Sequence, residues 1–423
     1  MNLRTLEEVA KVIMGTSPAG DTYNRDGIGL PLLNGPTEFG NVYPQSTLYT
    51  TNSKKECSPG DLIFCVRGNT TGRMNWADKQ YSLGRGVCAI RGNTSIDTKY
   101  IKMCLELYLP ELLQMASGAT MPNLTQNSIK KFSIPYPVHR KIIATILSAY
   151  DDLIENNLRR IKVLEEMAQN LYREWFVNFR FPGHENACFV DSPLGQIPEG
   201  WEIKRLSELI SGHIGGGWGK DEQDDKYNEP AWVIRGTDIP NTRLCNIANV
   251  PYRYHTVSNL KARTLSPGDI IFEVSGGSKG QPLGRTLLVS PELLRLFKGE
   301  KIICASFCKR IEPNFELYLP EILYLSFVEG YRSGEIEQFQ VQSTGISNFR
   351  WAEYIEKVYR SVPPITVQES FQDIASPILS QISLLGHKNH TLCQTRDLLL
   401  PKLISGEVDA SDLDIKVPEE AAS

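Results

Sequence analysis

The residues of this chain whose types and spacing suit chemistry lie in one basic, amide-rich stretch. Residues 65–86 read "CVRGNTTGRMNWADKQYSLGRG". From Ser58 to Gly92 there are five basic residues, Arg67, Arg73, Lys79, Arg85 and Arg91, against two acids, Asp61 and Asp78. Asn69, Thr70, Asn75 and Gln80 are interleaved with them, as are Trp76 and Tyr81. Arginine can bond guanine through two parallel contacts, Asn or Gln can do the same to adenine, and cations neutralise phosphates. A second stretch, "EVSGGSKGQPLGRTLLVS" from Glu273 to Ser290, offers Lys279, Gln281 and Arg285. The frames match, "GNTTGR" against "SKGQPLGR", each a glycine loop closing on Gly-Arg. "VIRGTDI" holds the place of "LLNGPTE", which adds Arg235. Candidate DNA contacts are therefore Arg67, Asn69, Thr70, Arg73, Lys79 and Arg85 in the first stretch, and Arg235, Lys279, Gln281 and Arg285 in the second. Composition alone suits two readings equally, DNA-reading loops or ordinary solvated loops.

Catalytic constellations are poor. "SGHIGGGWGK" invites a phosphate loop, but Ile214 stands where the first glycine is required and Asp221 where Ser or Thr is required. A tight glycine turn fits it better. The single Pro-Pro, Pro363-Pro364, lacks the Asn or Asp and the aromatic residue of an adenine methyltransferase element. Asp191 with Glu202 and Lys204 nominally resembles a metal-nuclease set, yet the matching place in the first copy reads "NLR". His387, His390 and Cys393 are within ligand spacing, as are Cys304 and Cys308, but a structural zinc site wants two close pairs. No catalytic residue and no metal site is expected.

The elements that position these loops come twice. "SPGDLIF" at Ser58–Phe64 returns as "SPGDIIF" at Ser266–Phe272, six of seven residues matching at an offset of 208. "YN" recurs at an offset of 204, and "LYLPELL" recurs as "LYLPEIL" at 210. Three landmarks in one order mark a tandem duplication, each copy long enough to be a domain. Short β-type runs ("DLIFCV", "GVCAI", "DIIFEV", "RTLLVS") separated by glycine turns, then helical runs ("IKMCLEL", "ELLQMA"), predict α+β copies. Each ends on a proline-flanked strand, "FSIPYP" and "RSVPP", followed by a long helix.

The first helix carries Ile143, Tyr150, Asn157, Leu164 and Leu171 at sevens, with Leu147, Ile154, Ile161, Ala168 and Trp175 four residues after each. The second carries Phe371, Ile378, Leu385, Leu392 and Leu399, with Ala375, Ile382, Asn389, Arg396 and Leu403. Two such heptad seams predict that the helices pair, with Asn157 and Asn389 fixing register. At 1.5 Å per residue each spans roughly 50 Å. The expected division is 1–137 first domain, 138–181 first helix, 182–200 a Pro/Gly-rich linker without Lys or Arg, 201–364 second domain, 365–408 second helix, and 409–423 an acidic tail.

Bulk properties agree. The chain has 423 residues, 41% hydrophobic and 22% charged, an ordinary composition for a multi-domain soluble protein. It lacks an apolar run long enough to span a membrane and a secretory leader, and nine scattered cysteines read as reduced core thiols, so a cytoplasmic protein is expected. The net charge of −4 hides an asymmetry: residues 1–137 hold 14 basic against 11 acidic residues, and residues 365–423 hold 4 against 9.

In this order, "LEEVAKVIMGTSP", "SPGDLIF", "GATMPNLTQNSIKKFSIPYP", "ILSAYDDLIENNLRRIKVLEEMAQNLYREWF", "LGQIPEGWEIKRLSEL" and "LLLPKLISGEV" resemble the specificity subunits of type I restriction-modification systems over essentially the whole chain. The resemblance implies two target-recognition domains in a pseudo-two-fold arrangement, each reading half of a split site in double-stranded DNA, joined by two long antiparallel coiled-coil-like helices. It implies no reaction on this chain. Two methyltransferase subunits would supply S-adenosylmethionine-dependent adenine methylation, and restriction subunits an ATP- and Mg-dependent motor nuclease. Two departures stand out: "STGISNFRW" replaces "GATMPNLTQ", with only Asn348 following Asn123, and Arg396 enters the second seam. From another class, a scaffold of two domains binding protein or carbohydrate would share the duplication but show no steep salt dependence on DNA.

Overall fold

The computed structural model describes residues 2–40, 42–116, 122–276, 282–342 and 347–417. Its contacts divide the chain into two compact units, Met1–Asp152 with Cys393–Ser423, and Leu153–Leu392. The boundary cuts both long helices, Arg140–Tyr172 and Ile365–Ser405, so each unit contains part of each.

In the first unit an antiparallel four-stranded sheet runs in the order Ala10–Met14, Val87–Gly92, Leu62–Cys65, Met74–Trp76. The second unit repeats that order with Ile210–Gly215, Cys308–Pro313, Ile270–Glu273 and Thr286–Leu288. The "SPGD" landmark explains itself here. Gly60 and Gly268 take the left-handed backbone that turns the chain into the central strand, at φ 84° and 89°. Asp61 Oδ2 accepts the Ser58 N–H at 2.8 Å and pairs with Arg91, while Asp269 accepts the Ser266 N–H at 2.6 Å and pairs with Arg310. The duplicated word is a structural clamp.

Two-stranded clips close the copies, Leu3–Thr5 on Ser133–Pro135 and Glu202–Arg205 on Tyr359–Val362. A core of Leu62, Phe64, Ile90, Tyr100 and Ile101 lies under the first sheet; Ile270, Phe272, Ile311, Phe327 and Tyr354 do the same in the second. The cysteines at the sheets behave as core residues: burial pushes the thiols of Cys57 and Cys304 up to about 12.

The helices pair antiparallel within each unit. In the first, Ile143 and Leu147 share a cluster with Leu403 and Ile404, with Leu399 packed on it. Arg396 donates to Asp151 Oδ1 across the seam at 2.6 Å, so the departure in the second seam is answered by a facing carboxylate. In the second unit Ile161 packs on Ile382 and Leu385, with Leu164 and Ile378 beside them, and Trp175 and Phe176 meet Phe371 edge-on. Leu171 packs against this end; Tyr150, Ile154 and Leu392 are half-buried. The first helix finishes in a π-helical turn, Arg173–Val177, which carries Trp175 and Phe176 into that core. Gly386 lies inside the second helix because the Leu244 carbonyl approaches to 3.0 Å of where a Cβ would stand.

The stretch expected as a linker is folded. Phe189–Ser192 and Gly195–Pro198 form a hairpin, Ile197 is buried, and Trp201 packs among Phe176, Phe179 and Phe181. Its Pro and Gly residues are turn residues of a packed element.

At the seam's centre Asn157 Nδ2 donates to Asn389 Oδ1 at 2.8 Å, and Asn389 Nδ2 donates to the Ile154 carbonyl at 3.3 Å. Both asparagines are buried. Replacing Asn389 by Leu strands the Asn157 amide and is expected to cost about 1–3 kcal/mol in thermal or urea unfolding of the full chain. Leu at both positions should recover most of that loss, since a matched apolar pair leaves no orphan donor.

Candidate nucleic-acid interface

The loops singled out in the sequence lie at one end of each four-stranded sheet, and backbone bonds fix their correspondence. Cys65 N donates to the Arg73 carbonyl at 2.9 Å, as Glu273 N does to Arg285 at 3.0 Å. Val66 N donates to the Gly86 carbonyl, and Val274 N to that of Phe307, both at 2.9 Å. Thr16 N reaches Leu83 and Gly217 N reaches Cys304, at 2.8 and 2.9 Å. Gly84 N bonds Leu33, and Ala305 N bonds Ile234, both at 2.8 Å. The Gly-Arg frames therefore match, with Gly72 and Gly284 at φ 98° and 99°. The junctions that differ in sequence also match: Arg67 bridges to Asn123, and Ser275 pairs with Asn348. The glycine run before Trp218 has a packing reason, because a side chain at Gly216 would collide with the carbonyls of Cys304 and Ala305.

Side chains on this shared frame diverge. In the first copy Arg67, Asn69, Thr70, Arg73, Lys79 and Arg85 are exposed. Arg67 Nε reaches Asn123 Oδ1 at 3.4 Å, Arg73 Nη1 donates to the Pro36 carbonyl at 3.3 Å, and Arg85 Nε donates to Ser17 Oγ at 3.3 Å. None of these three guanidiniums has a carboxylate partner among the described residues. Lys79 lies over the Tyr81 ring at 5.7 Å. This tip can offer several cations to phosphates or guanine edges.

In the second copy two of the candidate arginines carry carboxylate partners. The Arg285 guanidinium clasps the buried Glu273 carboxylate through Nε at 2.7 Å and through Nη2. Arg235 is gripped by Asp238, Nε to Oδ2 at 2.8 Å and Nη2 to Oδ1 at 2.9 Å, and also donates to the Asn249 carbonyl. The hydrogen bonds that Arg285 donates to Glu273 raise the Arg285 pKa further, so the guanidinium stays charged. The cause is one residue. Cys65 stands in the first copy where Glu273 stands in the second, so Arg73 has no buried acid to satisfy. Lys279 and Gln281 lie outside the described residues.

Residues that the sequence reading passed over occupy the second tip. Trp218, Thr237, Ser306 and Phe307 surround an open recess of about 530 Å³ beside Ser275 and Glu273. Ser306 and Phe307 hold the places of Arg85 and Gly86. The signal was in the strands: "CKRIEP" is the counterpart of "VCAIRG", which puts "SF" opposite "RG".

No group of three or more His, Cys, Asp or Glu residues able to hold a metal occurs among the described residues, and no described helix is long and apolar enough to cross a membrane. Glu202 pairs with Lys204 at 2.8 Å on the clip, and Asp191 sits in the hairpin.

The two units carry one sheet frame with divergent tips. Residues 1–166 match the family described as the Type I restriction modification DNA specificity domain. The chain is 24% identical over 439 residues to the type I restriction enzyme MjaIX specificity subunit of Methanocaldococcus jannaschii, covering 97% of this chain and 94% of that one. It is 21% identical over 431 residues to the HindI specificity subunit of Haemophilus influenzae, covering 84% and 88%. The S subunit of the type I restriction-modification system from M. genitalium shares the fold, with a TM-score of 0.56 at 15% identity over 95% of both chains. The chain is thus similar to type I restriction-modification specificity subunits along most of its length.

Removing the Arg285 guanidinium leaves the Glu273 carboxylate buried and unpaired. Arg285→Ala is expected to destabilise the protein by about 3–5 kcal/mol, whereas Arg73→Ala at the matched, exposed place should leave the melting temperature nearly unchanged. Thermal unfolding of the two variants side by side checks this.

Proposed function

We propose that the chain is the non-catalytic DNA-reading subunit of a type I restriction-modification complex, each copy reading one half of a bipartite double-stranded site. The observation carrying this is the pair of tips, matched in several backbone bonds and different in exposed side chains. Such a device reads two sequences with one architecture. Arg67, Arg73 and Arg85 supply cationic contacts for the first half-site, with Asn69, Thr70 and Lys79 beside them. The two long helices, shared by both units, join the readings and hold two methyltransferase subunits; motor-nuclease subunits add restriction. S-adenosylmethionine, ATP and Mg2+ act on those partners in the cytoplasm, and this chain supplies none of the reacting groups.

Mapping methylated adenines in cells that carry this gene and its methyltransferase partner should return a split motif. With the purified complex, gel shifts at two salt concentrations should show steep salt dependence for that site. Arg67→Ala, Arg73→Ala and Arg85→Ala should each cost about 1–3 kcal/mol where the arginine reads a base, relaxing one position of one half-site, or weaken all sequences alike where it holds a phosphate. Absence of salt-dependent, site-specific binding would favour a protein- or carbohydrate-binding scaffold instead.

A further inference from the structure

The two tips are built for different base chemistry. At the matched places the first copy has Ser17, Arg67, Arg85 and Gly86; the second has Trp218, the buried Ser275, Ser306 and Phe307. The one arginine present at both, Arg73 and Arg285, is exposed in the first and locked to Glu273 in the second. Around the second recess the described guanidiniums are paired with carboxylates, and among the described residues hydroxyls and two aromatic rings face its opening. Trp218 is 41% exposed and Phe307 55%.

Both rings are held for use. The Arg253 guanidinium lies 4.2 Å from the Trp218 ring centre and its Nε donates to the Trp218 carbonyl at 2.6 Å; Arg253 itself is buried. The Phe307 carbonyl accepts from Val274 N and Ser275 N, at 2.9 and 3.2 Å, which anchors the backbone beneath its ring. Large apolar rings fixed on a recess rim leave water only when something apolar meets them. In a major groove the apolar group on a base edge is the thymine 5-methyl, and serine or threonine hydroxyls can bond neighbouring edges of either type.

Resting on the DNA-reading function above, we propose that the second copy reads the methyl-bearing edge of thymine through Phe307 and Trp218, with Thr237 and Ser306 contacting adjacent base edges. The first copy reads through guanidinium groups. Its half-site is therefore insensitive to thymine methyls at the corresponding places.

Deoxyuridine, which differs from thymidine by that methyl alone, tests this with the full chain in its methyltransferase complex. Thymines of one half-site at a time are replaced in a duplex carrying the mapped motif. Wild type should bind roughly four-fold more weakly for each contacted methyl removed, the factor that burying one such group contributes, and in one half-site only. Phe307→Ala and Trp218→Ala should bind the thymine duplex as weakly as wild type binds the uracil one, and should no longer distinguish the two. Both side chains are substantially exposed, so an unchanged melting temperature is expected. Equal wild-type binding to thymine and uracil duplexes in both half-sites overturns the proposal while leaving DNA reading intact. So does a Phe307→Ala variant that keeps full discrimination, or one that loses only the methyltransferase partner. A wild-type complex with no site-specific binding overturns this proposal and the function it rests on.

Discussion

Asp61 and Asp269 are carboxylates almost wholly removed from water. Each is satisfied by the backbone N–H of its own turn and by an arginine from the neighbouring strand, Arg91 or Arg310. An ionised group at such a depth is tolerable only with this full set of partners. Burial still holds the Asp269 carboxyl above its usual range. The arrangement fixes where the central strand begins and how it registers with the next one. Everything at the tip, one strand length away, inherits that register. A slip of one residue would turn Phe64 and Phe272 out of the core and reverse every tip side chain.

This explains which parts were legible in the sequence. The clamp needs Ser, Gly and Asp at set spacing, so it survives as a repeated word. The helix seams need apolar side chains at sevens, and Asn157 opposite Asn389 could be read from two heptads alone. The hairpin at residues 189–198 could not: its packing depends on Trp201 meeting Phe176, Phe179 and Phe181, contacts between residues twenty or more apart that leave no local period. Proline and glycine there looked like a linker because turns and linkers share a composition.

The candidate site was harder for a related reason. A surface arginine and a structurally committed one look alike in a sequence. Arg73 and Arg285 occupy the same frame after the same glycine, and only the residue across the strand separates them. That residue lies eight positions before Arg73 and twelve before Arg285, since the intervening loops differ in length. No fixed spacing announces the pair. Likewise Arg85 and Ser306 are equivalent only once strand pairing is known.

Duplication followed by divergence at such points gives a physical route to new specificity. A loop that must fold and also read is constrained twice, yet here the two duties lie on separate atoms. The backbone bonds from residues 65 and 66, and from 273 and 274, hold the loops whatever the side chains are. A buried acid under the tip then decides whether a conserved-frame arginine projects or is withdrawn. With Cys65 beneath it the arginine stays outside, and the surface is cationic. With Glu273 beneath it the charge is neutralised internally, and among the described residues aromatic rings occupy the rim. The side-chain chemistry that each tip exposes is thus set as much by a residue that never reaches the surface as by those that do.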